Sequence, residues 1–275
     1  VSALSEYPFL LRFILKELDR QVVAHERVVK LRLYMYYNLR PRVDGLWIRL
    51  NEGINEAVEQ GRVRRLDASK AWIFRAGADE GAVHESYERK LPVYQRWAGH
   101  AGGPHLERLV RRAFFLAGYA VSPTPVNVEW EGKAGEILSH QLDVLTLAPH
   151  RLGIECKNKL SDVYISPDIP KRPNDDHRQI ARHFDICSRR GITPILMAPL
   201  IDASFFGFVQ LYNGLACRLL FQYLPPDSEE LCQSVRREFR IGHVVTASED
   251  DPPQNLAAWA ARVAGLLESR TGEEG

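Results

Sequence analysis

Two neighbouring runs of the chain hold residues whose types and spacing suggest chemistry. The first is Gln141-Leu-Asp143-Val-Leu-Thr-Leu; the second is Arg151-Leu-Gly-Ile-Glu155-Cys-Lys157-Asn-Lys159. Side chains alternate faces along a strand. In the second run that puts Leu152, Ile154 and Cys156 on one face, and Glu155, Lys157 and Lys159 on the other. The gap at 148–150 is hairpin-sized, so Asp143 is expected beside Glu155 on paired strands. Charges in an apolar strand pair are costly unless they are paired or bind a cation. Two carboxylates repel, and a divalent ion resolves that. All-oxygen ligation completed by water suits Mg²⁺, with Mn²⁺ as a substitute. Such an ion can activate water for attack on a phosphodiester, and Lys157 can neutralise the charge that builds on the phosphate.

The flanking elements follow from hydrophobic spacing. A helix is expected from 104 to 117, with Leu106, Leu109, Val110, Ala113 and Phe114 on one face and Gly118 as its stop. Strands are expected at 126–130, 137–147 and 151–159. A loop rich in Pro and Asp (161–175) leads to a helix at 176–190 that ends at Gly191, and a short buried strand follows at 194–198. The order is α-β-β-β-α-β, an α/β fold with a mixed sheet flanked by helices. Beyond it, helices are expected at 203–212, 228–239 and 255–269, and strands at 216–223 and 243–246.

Upstream, helices are expected at 4–18, 22–39 and 46–60, then a hairpin of 62–66 and 71–75. Arg40-Pro41 would end the second helix. Three helices and a hairpin resemble a winged-helix module; a helical adaptor with a β-ribbon used for packing fits the same pattern. In the winged-helix case, helix 46–60 would be the recognition element and Arg62, Arg64, Arg65 and Lys70 would reach phosphates. Glu52, Glu56 and Glu59 on that helix would repel DNA and suit a protein partner instead. Residues 77–103 carry glycines at 77, 81, 99, 102 and 103 and read as a connector. The expected division is 1–76 (helical, winged-helix-like), 77–103 (linker) and 104–270 (the α/β domain).

Asp143-x11-Glu155-Cys156-Lys157 resembles the PD-(D/E)xK motif of restriction-endonuclease-like nucleases, and the element order over 104–198 is similar to that superfamily's core. The resemblance is nearest to the Holliday-junction-resolvase and type IV restriction-like branches. It implies a Mg²⁺-dependent DNA endonuclease. Asp143 and Glu155 would be metal ligands, with the backbone carbonyl of Cys156 as a third oxygen. Lys157 would be the catalytic lysine. Many members use a glutamate from the first core helix, where Glu107 stands; it is equally a first-turn acid favoured by the helix dipole. A glutamine on the helix after the motif would join the catalytic group, and Gln179 stands there. Leu142 replaces the motif's proline.

Composition bounds the rest. The chain has 275 residues, 45% hydrophobic and 26% charged, with a net charge of +1. That is enough apolar material for a core, but global charge does not announce a nucleic-acid binder. Local clusters do more: Lys159, Lys171, Arg172, Arg178 and Arg182 are candidates for phosphate contacts. The four cysteines, at 156, 187, 217 and 232, form no CxxC pair and fit a reducing, cytoplasmic setting. His177 and His183 lie six apart on the expected helix, off a common face, and read as surface or substrate-proximal. No apolar run is long enough to span a membrane. The charges within 1–18 lack the signal-peptide pattern. An apolar stretch at 203–223 suits either a homodimer interface or core. The competing class is a catalytically silent nuclease fold that grips nucleic acid or a protein. DNA versus RNA, sequence specificity and pathway do not follow from these residues.

Overall fold

The computed structural model describes residues 2–36, 46–67, 69–100, 103–131, 137–159, 175–201, 204–219 and 221–271. It divides into two compact units, residues 1–101 with 229–244, and residues 102–228 with 245–275.

In the first unit, α1 (Ala3–Glu6) is capped by Ser2, and α2 (Pro8–Gln21) begins on a proline. The single helix expected at 4–18 is therefore two, because Pro8 lacks the N–H to continue α1 but suits a first helical position. The helix expected at 22–39 is also different: β1 (Val23–His25) precedes α3 (Glu26–Tyr36). Val22 takes φ 63°, which turns the chain out of α2. That conformation is unusual for a β-branched residue. The carbonyls on either side, Gln21 and Val23, both accept from the buried Lys90 ammonium. The Arg40-Pro41 stop lies outside the described residues. After α4 (Leu46–Glu59) come β2 (Val63–Leu66) and β3 (Ser69–Arg75), and β3 pairs antiparallel with both β1 and β2.

Lys90 belongs to α5 (Glu80–Gly99), whose Val83, Tyr87 and Trp97 are buried in the same unit. The 77–103 stretch is thus not a linker. Its glycines bound a helix whose aromatic face completes a core.

The second unit opens with α6 (Gly103–Leu116), ended by Gly118 at φ 88°. Then come β4 (Ala120–Val121), β5 (Val126–Glu131), β6 (Ile137–Leu142), β7 (Val144–Ala148), β8 (Leu152–Cys156), α7 (Asp175–Arg189), β9 (Thr193–Ala198), α8 (Ser204–Leu211), β10 (Leu215–Arg218) and β11 (Gln222–Leu224). The loop expected at 161–175 falls almost wholly outside the described residues. α9 (Glu229–Phe239) lies in the first unit, where Phe239 stacks on Trp97 and Glu238 pairs with Arg89. That is a second departure from the expected 104–270 domain. After β12 (Val244–Thr246), α10 (Gln254–Thr271) ends the second unit.

The central sheet has five strands in the order β10-β9-β8-β7-β4. β8 runs parallel to β9 and β9 to β10, while β7 is antiparallel to β8 and β4, so the sheet is mixed. Helices flank it. Leu106, Val110 and Phe114 of α6 and Leu256, Ala260 and Val263 of α10 pack with Leu152, Ile154 and Cys156 on one core. Ile180 and Phe184 of α7 pack with Phe205 and Val209 of α8 against Leu196 and Ala198. Phe205 is therefore core, and so are Leu219 and, partly, Phe208 and Phe221, whereas Leu211 of the same stretch is exposed. Among the described residues, no helix is long and apolar enough to cross a membrane.

Candidate active site

The strand expected at 137–147 is broken at Asp143, and the break builds the site. β6 pairs with β5 in a separate two-stranded ribbon, whereas β7 joins the central sheet. Asp143 sits at the crossover with its backbone outside both ladders. Its carbonyl is taken by the Arg111 guanidinium of α6 at 2.9 Å. Its carboxylate Oδ2 accepts from the Cys156 backbone N–H at 2.8 Å. In the β7–β8 hairpin Val144 faces Ile154, so Asp143 stands one step beyond, at the level of Glu155. Buried Thr146 closes the hairpin, donating to the His150 carbonyl at 2.6 Å and accepting from Leu152 N–H at 3.0 Å.

Glu155 is wholly buried on β8. Its Oε1 lies 2.7 Å from the Lys157 ammonium. Lys157 also donates to Oε1 of Gln179, one turn into the described face of α7, at 2.7 Å. The chain here is held tightly. Lys157 N–H donates to the Met197 carbonyl at 2.8 Å, and the buried Asn158 amide brackets both backbone groups of Tyr223, accepting from its N–H at 3.0 Å. The strand that was expected to run to 159 ends at Cys156, and Asn158 replaces its ladder.

Electrostatics bind these groups together. Burial first, then the Glu155 and Glu107 carboxylates, push the Asp143 carboxyl up to about 7, against the Cys156 N–H and the Lys157 ammonium. Burial also raises Glu107, opposed by Arg111 and helped by Glu155. Burial works against a charge on Glu155, but His140, His183 and Lys157 outweigh it and hold this carboxyl low. Asp143, Glu155, Glu107, Lys157 and Gln179 are thus brought to one place. Cys156 is a core side chain whose thiol burial raises well above its usual range, so only its backbone serves the site.

Two histidines outside the sequence motif border Glu155. His183 is not at the surface; it is fully buried on α7, and its Nδ1 lies 3.6 Å from Glu155 Oε2. Burial pushes its pKa down to about 4. His140, on β6, brings Nε2 to 3.6 Å from the same oxygen. The signal was present: Gln179, His183 and Cys187 recur every four residues, one helical face, and His140 shares Leu142's inward alternation.

The candidate phosphate contacts separate. Arg62, Arg64 and Lys70 are exposed, with Arg64 3.0 Å from Glu80. Arg65 is not free for phosphate, since it is spent inside the first unit on Glu26, Asn55 and the Lys70 carbonyl. Arg182 is exposed and Lys159 half-buried. Arg178 lies on α7, and Lys171 and Arg172 lie outside the described residues.

Comparison of the chain with protein-family models, curated proteins and solved structures finds no match.

Proposed function

We propose that the chain is a metal-dependent endonuclease that hydrolyses phosphodiester bonds in DNA, with a restriction-endonuclease-like second unit and a winged-helix first unit. The observation that carries the reading is the clustering of Asp143, Glu155 and Glu107 around Lys157, with Asp143 pushed up to about 7 by burial and its acidic neighbours. Such a cluster is short of positive charge. Its donors are oxygens, which fits Mg²⁺ or Mn²⁺ held by Asp143, Glu155, the Cys156 carbonyl and Glu107. When bound, the ion supplies Lewis acidity and an activated water. The chain's own residues supply the rest. Lys157, fixed between Glu155 and Gln179, presents its ammonium to the phosphate being attacked. Burial and its acidic neighbours favour the neutral form of Asp143, and a bound cation would favour the carboxylate.

Two features support the architecture. The order α6, β4 to β8, α7, β9 contains the expected sequence of elements around the motif, with β4 added and the second expected strand split into β6 and β7. In the first unit, two helices, a strand, two more helices and a hairpin close a three-stranded antiparallel sheet. Exposed Arg62, Arg64 and Lys70 on its hairpin, and Lys159 and Arg182 on the segments that carry Lys157 and Gln179, would make phosphate contacts.

The test is cleavage of plasmid, single-stranded and branched DNA with Mg²⁺ or Mn²⁺, comparing the wild type with Asp143→Ala. Metal-dependent cutting lost in the variant supports the reading. The complete burial of Glu155 favours one rival, a catalytically silent fold that grips nucleic acid or protein. DNA binding without cleavage of any substrate would establish it.

A further inference from the structure

We propose that His140 Nε2, Glu155 Oε2 and His183 Nδ1 form a binding site for one divalent transition-metal ion of the Zn²⁺/Co²⁺ class, set apart from the all-oxygen cluster at Asp143 by its two imidazole donors. The three residues come from three elements, the outer ribbon, the central sheet and α7. All three are buried, and their ligand atoms lie within 4.8 Å of one another. Both nitrogens stand 3.6 Å from Oε2. That is too long for a hydrogen bond. It is close to the roughly 3.3–3.5 Å between neighbouring donors in a tetrahedral Zn²⁺ shell with bonds of about 2.0–2.1 Å.

None of these three atoms has a hydrogen-bond partner among the described residues. Buried polar atoms are seldom left so. The tautomer of His183 sharpens the point. Its Nε2 lies 2.9 Å from the Gly153 carbonyl, which can only accept, so Nε2 carries the proton. Nδ1 of the neutral ring then presents a lone pair to a carboxylate oxygen, an unfavourable meeting that a cation between them reverses. A ring N–H donated to a backbone carbonyl is also how metal-ligating histidines are oriented. A protonated His183 would instead donate from Nδ1 to Oε2, and 3.6 Å does not make that bond.

Donor type selects the ion. Two imidazoles suit Zn²⁺, Co²⁺ and related ions, whereas Mg²⁺ prefers oxygen and retained water. Lys157 lies against Oε1, so it is through Oε2 that Glu155 meets this ion. Three protein donors leave one position for water. The proposal does not need the phosphodiesterase reading; the two share only Glu155.

The experiment is titration of chelator-stripped, full-length protein with Co²⁺ and Zn²⁺, without nucleic acid. One equivalent of Co²⁺ is expected to give the intense visible absorption of a four-coordinate ion, displaced by Zn²⁺ and not by excess Mg²⁺. His140→Gln and His183→Gln are each expected to weaken binding by more than the roughly 10–100-fold typical of losing an outer partner. Asp143→Asn is expected to leave it intact. Circular dichroism checks folding; if His183→Gln does not fold, His140→Gln at the ribbon carries the test. The proposal is overturned if the wild type binds neither ion, or if the folded histidine variants bind as the wild type does. It is also overturned if Asp143→Asn alone abolishes binding. Failure of DNA cleavage would leave these readouts unchanged, so the two readings fail separately.

Discussion

The Cys156 N–H donates to Asp143 Oδ2 at 2.8 Å, across the end of the β7–β8 hairpin. This bond fixes the carboxyl beside Glu155, although burial and that neighbour both raise its pKa. Holding a buried carboxylate beside a second one costs stability, and such positions yield stabilising substitutions.

Asp143→Asn keeps the acceptor for Cys156 and removes the charge. The ordinary Asp pKa is about 3.9, whereas the folded value is about 7. The folded state therefore holds a proton that the unfolded state has lost, and metal-free stability falls as pH rises from about 4 to about 7. Asp143→Asn is expected to flatten that fall and to raise stability at pH 8 by roughly 0.5–2 kcal/mol. Glu155, held low, has the opposite sign; its contribution is present above the ordinary carboxylate range and is lost as pH falls. Thermal melts in chelator from pH 4.5 to 8 measure the first, and melts below pH 4.5 the second. An unchanged slope in Asp143→Asn would refute the assignment.

Lys157→Ala is expected to lower metal-dependent DNA cleavage by about 10²–10³-fold, the usual cost of one transition-state charge stabiliser. Gln179→Ala is expected to lose less, because Glu155 still holds the ammonium. Single-turnover rates decide the order; a Gln179 variant slower than the Lys157 variant would reverse their roles.

Gly153 is a packing constraint on the same face. A Cβ there would meet Cys187 Sγ at 2.5 Å and Ile192 Cγ2 at 3.2 Å. Gly153→Ala is expected to destabilise by about 1–3 kcal/mol. Cys187→Ala makes room, so the double variant should recover more than about 0.5 kcal/mol relative to additivity. Urea melts of the four proteins give the coupling; additive values would mean that the strain is relieved elsewhere.

Asn158→Ala leaves the Tyr223 N–H and carbonyl without their bracket. Each buried group left unmade costs about 1–3 kcal/mol. The segment carrying Lys157 should loosen, with faster amide exchange at Lys157 and Tyr223. Wild-type exchange in the variant would show that the Met197 bond alone holds the segment.

Much of the second unit was legible in the sequence because β7, β8, β9 and α6 carry uninterrupted periodic faces. What was not legible depended on partners distant in sequence. The turn at Val22 rests on Lys90, and nothing local to residues 4–39 announces an ammonium arriving from residue 90. The ribbon break at Asp143 was invisible because 137–147 alternates without a turn residue, while the pairing partner changes midway. The candidate carboxylates and lysine were readable from spacing. Helical spacing marks His183 as inward-facing, but His140 lies on a strand some 40 residues earlier, and nothing local to α7 announces that the two meet at Glu155.

Glu155 divides its two oxygens between an ammonium on one side and two imidazole nitrogens on the other. A glutamine of the same shape would suit both in the metal-free fold, its carbonyl accepting from Lys157 and its amide facing the ring lone pairs. The chain therefore stands a single substitution from a folded protein with no negative charge at that position. That substitution would give up the stability that the Lys157 ammonium lends the buried charge, so the acid is held by folding as well as by whatever its charge binds.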